Sequence, residues 1–124
     1  MKAAAFEYAR AGSLDEVCAA LRNSGDDVKL IAGGQSLVPM MAMRLTRPSR
    51  LIDINNIEAL KFVAVEPDAV RTGACTRQCV VARDDALARA VPLLRQALAW
   101  VGHVQTRNRG TIGGSLAHAD PAAE

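Results

Sequence analysis

A chain of 124 residues that is 50% hydrophobic and 23% charged is long enough for a domain with its own core, and this composition argues against a disordered segment. Aromatic residues make up only 3%, so the core must be built from Ala, Val, Leu, Ile and Met. The net charge of +2 comes from basic residues interleaved with Asp and Glu, with one locally basic stretch, Arg107-Asn108-Arg109. That stretch suits a bound anion and argues against the extended, aromatic-lined basic track of a nucleic-acid binder.

The segment Met1–Tyr8 is too short and too polar for a secretory signal. No apolar run approaches the roughly 20 residues needed to span a bilayer. A cytoplasmic protein without a transmembrane segment is therefore expected. The three cysteines, Cys18, Cys75 and Cys79, then read as free thiols acting as small apolar residues. Cys75 and Cys79 are spaced to share a helix face, but two thiols do not make a cluster site.

In chain order, Ser13 and Glu16 form an S-x-x-E capping box. Leu14, Val17, Cys18 and Leu21 follow at helical spacing, and Gly25 marks the C-terminal cap region. Val28–Ala32 predicts a short buried strand that ends at Gly33-Gly34. Gln35–Arg44 predicts a helix in which Pro39 must lie in an early turn. Leu51–Ile54 predicts a second strand. Phe62–Val65 and Ala69–Cys75 predict a hairpin around Glu66-Pro67-Asp68.

Thr76 is the expected cap of a helix through Ala82, and Asp84-Asp85 open another through Ala90. Pro92 suits the first position of a further helix with Leu93, Leu94, Ala97, Leu98 and Val101 on its apolar side, closed by Gly102. His103–Gly110 reads as a polar loop. The order β, α, β, α, β, then hairpin and helices, points to an α/β or α+β domain. The last residues read as the start of another element, so the chain is expected to be a fragment of a longer protein.

Two glycine pairs carry the functional signal, Ala32-Gly33-Gly34-Gln35-Ser36 and Thr111-Ile112-Gly113-Gly114-Ser115. Glycine admits positive φ and removes the Cβ, so a phosphate can approach converging backbone N–H groups. Ser36, Thr111 and Ser115 add hydroxyls and Gln35 an amide. Neither segment has the G-x-G-x-x-G or GK[ST] spacing of a Rossmann or P-loop site. The pair points to a binder of a phosphorylated cofactor, since a diphosphate has two anionic groups.

Leu30-Ile31-Ala32-Gly33-Gly34-Gln35-Ser36-Leu37 resembles the first flavin-binding loop of the medium subunit of aerobic carbon monoxide dehydrogenase and its relatives among the molybdenum hydroxylases, including the xanthine dehydrogenase type. The stretch from Arg107 through Thr111–Ser115 to Glu124 resembles the second loop, and Arg47-Pro48, Leu51–Ile54 and Ile57 fit the stretch between. The resemblance implies the flavin-binding fold shared with vanillyl-alcohol oxidases, two α/β subdomains with FAD between them, here truncated. Residues 1–57 would form the N-terminal subdomain and residues 58–124 the first part of the second, incomplete at its C-terminus.

It further implies that Ala32, Gly33, Gly34, Gln35 and Ser36, with Thr111, Ile112, Gly113, Gly114 and Ser115, wrap the FAD pyrophosphate, and that Glu124, or less directly Asp120, lies near the adenosine ribose. Ser115 stands where many members have Asn, and a hydroxyl still donates.

By the same resemblance this is an oxidoreductase subunit that binds FAD and transfers electrons. A large subunit with a molybdenum cofactor would oxidise the substrate, and a small subunit would pass electrons through [2Fe–2S] clusters to FAD. The external acceptor would be a quinone, NAD or oxygen. No residue is expected to act as nucleophile, general base or metal ligand. A stand-alone flavin oxidase and a non-catalytic partner-binding remnant are the alternatives.

Among single residues, His118 could contact the cofactor. Arg107 and Arg109 pair either with pyrophosphate or with carboxylates. Asp53 is expected to fix a loop, Lys29 to be solvated, and Trp100, Met40, Met41 and Met43 to be core residues.

Overall fold

The computed structural model describes residues 2–25 and 27–122 and divides into two compact units, Met1–Glu58 and Ala59–Glu124. In the first unit β1 (Glu7–Arg10), α1 (Leu14–Arg22), β2 (Val28–Ile31), α2 (Leu37–Ala42) and β3 (Arg50–Asp53) alternate along the chain. The strands form a parallel sheet in the order β1-β3-β2, with Leu51 opposite both Tyr8 and Lys29. Parallel strands need crossover connections, and the two helices supply them. β3 is central and its Leu51 and Ile52 are each 2% exposed; Ala11, Val17, Met41 and Ile57 are buried hydrophobic residues of the same unit.

The second unit begins with a hairpin of β4 (Val63–Val65) and β5 (Val70–Thr72), paired antiparallel with Val65 opposite Val70. Five short helices follow: α3 (Gln78–Arg83), α4 (Asp85–Ala90), α5 (Pro92–Trp100), α6 (Val104–Arg109) and α7 (Ile112–His118). None is longer than nine residues, and isolated helices of such length are marginal in water, so packing must hold them. Val81, Leu87 and Leu98 form the buried centre, with Val63, Val70, Ala82, Leu94, Val101 and Ile112 against it. Complete burial of a Val or Leu stabilises by about 1.5–3 kcal/mol.

Local signals hold where a side chain closes its own turn. The Ser13 hydroxyl accepts from the Glu16 amide at 3.2 Å, although Glu16 returns its carboxylate to the Gly12 amide at 2.7 Å rather than to Ser13. α1 ends at Asn23, two residues before Gly25. Asp84 caps α4 by accepting from the Leu87 amide at 2.8 Å, and Pro92 opens α5.

Four expectations are corrected. Thr76 does not cap a helix: it is 5% exposed, donates to the Phe62 carbonyl at 2.9 Å and accepts from the Phe62 amide at 3.1 Å. The stretch read as a polar loop contains α6. Cys75 lies in the turn before α3 while Cys79 lies within it, so they share no helix face. Trp100 is 78% exposed and not in the core, and of the three methionines only Met41 is buried. Among the described residues, no helix is long and apolar enough to cross a membrane.

Candidate functional site

The first glycine segment lies between the end of β2 and the start of α2. Gly34 has φ +71°, the left-handed region in which only glycine is unstrained. The turn leaves the amides of Gly33, Gly34, Gln35 and Ser36 without an acceptor among the described residues. Ser36, the residue preceding α2, makes no side-chain cap bond. Four consecutive N–H groups without a partner among the described residues are donors available to an anion. The Gln35 side-chain amide folds back onto the Gly33 carbonyl at 3.2 Å.

A polar cluster at the ends of the strands holds this turn from behind. Asn55 Nδ2 donates to the Ala32 carbonyl at 2.8 Å and to Asp53 Oδ1 at 2.6 Å. The Asn55 amide also donates to Asp53 Oδ1, at 2.8 Å. The Tyr8 hydroxyl donates to the other Asp53 oxygen, and Arg10 Nε donates to Tyr8 at 3.2 Å. The expected loop-fixing role of Asp53 thus has a route through Asn55, which composition and spacing did not single out. An Asn after a strand reads as an ordinary turn residue.

Burial alone would raise the Asp53 pKa. Hydrogen bonds from Tyr8 and Asn55 and the charge of Arg10 outweigh it and hold the carboxyl below its ordinary value. A depressed folded-state pKa contributes stability above the unfolded-state value, and this is lost as pH falls through the folded value. Asp53→Asn should therefore destabilise the protein at neutral pH by on the order of half a kcal/mol, because solvent screens this half-buried group. The difference from wild type should shrink below about pH 4. Urea denaturation of both proteins at pH 7 and pH 3 measures it; a gap that widens in acid would reject the assignment.

The second glycine segment is not a loop. Gly113 and Gly114 lie in the first turn of α7. Thr111 is 2% exposed, and its hydroxyl caps the helix by accepting from the Gly114 amide at 3.1 Å. The Ile112 amide donates to the Thr76 carbonyl at 3.0 Å, the Gly113 amide to Ala74 at 2.9 Å, and the Ser115 amide to Thr111 at 3.1 Å. All four amides from Ile112 to Ser115 are therefore already paired. The glycines here serve close packing: a Cβ on Gly113 would lie 2.6 Å from the Ala74 Cβ and 2.8 Å from its Cα.

What the segment presents outward is the exposed Ser115 hydroxyl, held by Gln78 Nε2 at 2.9 Å. Gln78 escapes a reading of the sequence because a polar residue at a helix start looks like solvated surface.

Arg107 Nη1 donates to the carbonyls of Val101 at 2.8 Å and Gly102 at 3.1 Å, closing the end of α5. Arg77 donates to the Arg109 carbonyl. His118 is exposed in the last turn of α7, and Asp120 accepts from the Ala122 amide at 2.9 Å. Glu124 lies outside the described residues. Among those residues, no three His, Cys, Asp or Glu side chains are placed to hold a metal ion.

The first segment thus fits a phosphate through unpaired amides, and the second offers a single oriented hydroxyl. The two segments belong to different units.

The chain is 46% identical over 124 residues to the 6-hydroxypseudooxynicotine dehydrogenase complex subunit alpha of Paenarthrobacter nicotinovorans, covering 100% of this chain and 42% of that protein. It is 42% identical over 116 residues to the carbon monoxide dehydrogenase medium chain of Hydrogenophaga pseudoflava, covering 94% and 40% respectively. A solved carbon monoxide dehydrogenase from Hydrogenophaga pseudoflava superposes with a TM-score of 0.96 at 41% identity, over 100% of this chain and 43% of that one. The chain spans less than half the length of the relatives it matches. The family described as the FAD binding domain in molybdopterin dehydrogenase matches residues 4–124, and the chain belongs to that family of FAD-binding domains.

Proposed function

We propose that this chain is the flavin-holding part of an electron-transfer subunit in a molybdenum-containing hydroxylase. In this reading, electrons taken from substrate at a molybdenum cofactor on a large subunit reach the flavin through [2Fe–2S] clusters on a small subunit, and leave to a quinone, NAD or oxygen. The observation that carries it is the run of amides from Gly33 to Ser36 without an acceptor among the described residues in a chain of this family. Bound FAD would supply the redox chemistry, exchanging electrons one or two at a time, and the protein supplies binding, orientation and electrostatics.

The amides of Gly33, Gly34, Gln35 and Ser36 would donate to phosphate oxygens. Their fixed dipoles stabilise negative charge without reorganisation, because Asn55 and Asp53 already hold the turn. The Ser115 hydroxyl would be a further donor to the cofactor, with Thr111, Ile112, Gly113 and Gly114 shaping the helix turn that carries it. Ala32 would contribute through its carbonyl, which anchors the turn to Asn55. No side chain is assigned a nucleophilic or acid–base role. Cys18, Cys75 and Cys79, none of them in a disulfide among the described residues, suit a reducing compartment, and this reading places the protein in the cytoplasm.

The visible spectrum of the protein purified with its partners, with the released flavin identified by chromatography, tests the proposal. FAD with iron–sulfur absorbance, two further subunits and molybdenum on metal analysis is the expected result. A colourless protein that fails to quench the fluorescence of added FAD would overturn it.

A further inference from the structure

Gln78 is the most unusual polar residue of the second unit. It opens α3 yet is 4% exposed. Its Nε2 donates to Ser115 Oγ at 2.9 Å, while its Oε1 is buried with no hydrogen-bond partner among the described residues. A Cβ on the adjoining Gly110 would lie 2.7 Å from that oxygen, so the backbone has made room for a carboxamide. An unpaired buried carbonyl is costly, and an apolar side chain of the same length would fill the space without that cost. The polarity of Gln78 therefore calls for a role beyond packing.

The role follows from hydroxyl bookkeeping. Ser115 Oγ has one hydrogen to donate and two lone pairs to accept with. The Gln78 N–H occupies one lone pair from the buried side, so the Ser115 hydrogen is left for a partner outside, on the exposed face. A serine whose hydrogen pointed inward would present only lone pairs to an anion and repel it. We propose that Gln78 is a positioning residue that sets the polarity of the Ser115 hydroxyl, making it a donor to a phosphate oxygen of the bound dinucleotide. This rests on the proposed FAD-binding role of Ser115 and adds the residue that directs it.

The test is a double-mutant cycle on the protein carrying this chain, freed of flavin and titrated with FAD by fluorescence quenching, with thermal melts of every variant. Ser115→Ala and Gln78→Met should each raise the Kd about tenfold, the worth of one charge-assisted hydrogen bond. The combined variant should be no weaker than Ser115→Ala alone, because Gln78 acts only through that hydroxyl. Gln78→Glu can only accept, so it would turn the Ser115 hydrogen inward and add a negative charge; its Kd should rise about a hundredfold.

If Gln78→Glu does not fold, the Gln78→Met cycle decides alone. Additive losses in the double variant, or a Gln78→Met protein that binds FAD like wild type while Ser115→Ala is weakened, would overturn the inference and leave the flavin reading intact. Wild-type protein that does not rebind FAD would overturn both.

Discussion

Gly113→Ala should destabilise the second unit by about 3 kcal/mol, at the upper end of the range for overpacking a closed interior. The added Cβ would lie 2.6 Å from the Ala74 Cβ and 2.8 Å from both its Cα and its carbonyl oxygen. Two of these are backbone atoms, which cannot rotate away as a side-chain tip would. The same turn accepts the Gly113 amide at 2.9 Å, so relief of the clash stretches a hydrogen bond that seats α7. For a domain of this size, about 3 kcal/mol corresponds to a fall of roughly 15 °C in Tm.

Thermal denaturation followed by circular dichroism measures the change, and two variants calibrate it. Gly25→Ala places its Cβ where no described residue beyond its chain neighbours lies within 4 Å and should be neutral or slightly stabilising. Gly114→Ala brings its Cβ to 2.6 Å from Thr111 Oγ1 and should cost about 1 kcal/mol, the worth of a helix cap. A Gly113→Ala melt that matches wild type would mean that α7 is not seated on the Ala74 turn.

Gly34→Val should all but remove flavin binding. Its φ of +71° costs a β-branched residue about 1–3 kcal/mol, and the new Cβ would lie 3.1 Å from Val38 Cγ2. The cheapest relief is rotation of the turn away from the left-handed region, which disperses the amides of Gly33 to Ser36. Loss of several donors to one phosphate should raise the Kd for FAD by more than about a hundredfold. The stability loss should stay near the strain itself, about 2 kcal/mol.

Gly34→Asn is the rescue, since Asn tolerates left-handed backbone better than any β-branched residue, and it should recover much of the affinity. Fluorescence titration of the flavin-free protein with FAD reads all three proteins. Unchanged affinity in Gly34→Val would remove the first glycine segment from the site.

Both glycine pairs were visible in the sequence as breaks in pattern, and they prove to do different work. The difference lies in partners distant in sequence. The first turn is held by Asn55, 23 residues away, which donates to the Ala32 carbonyl, and its amides meet no acceptor among the described residues. The second spends its amides on Ala74, Thr76 and Thr111, and its glycines are small because another stretch of backbone lies against them. A side chain such as Gln78, buried by a contact 37 residues away, carries no local mark of its position. The polar α6 was equally hidden: its residues show no apolar periodicity, and Arg107 closes the preceding helix by reaching two carbonyls outside α6.

The sequence by itself determined what neighbouring residues settle between them: the Ser13 and Asp84 caps, the proline start of α5, the Glu66-Pro67-Asp68 turn and the buried β3 strand. Each is a hydrogen bond, a ring constraint or an apolar run within a few residues. Only the tertiary structure located the opening strand, β1, whose Glu7-Tyr8-Ala9-Arg10 has little apolar pattern and gains its order by pairing with β3. The tertiary structure likewise assigned Thr76 to the hairpin rather than to a helix, and it separated a glycine turn with free amides from one with none. Those outcomes depend on which distant backbone atoms arrive within hydrogen-bond reach, and short-range preference carries no information about that.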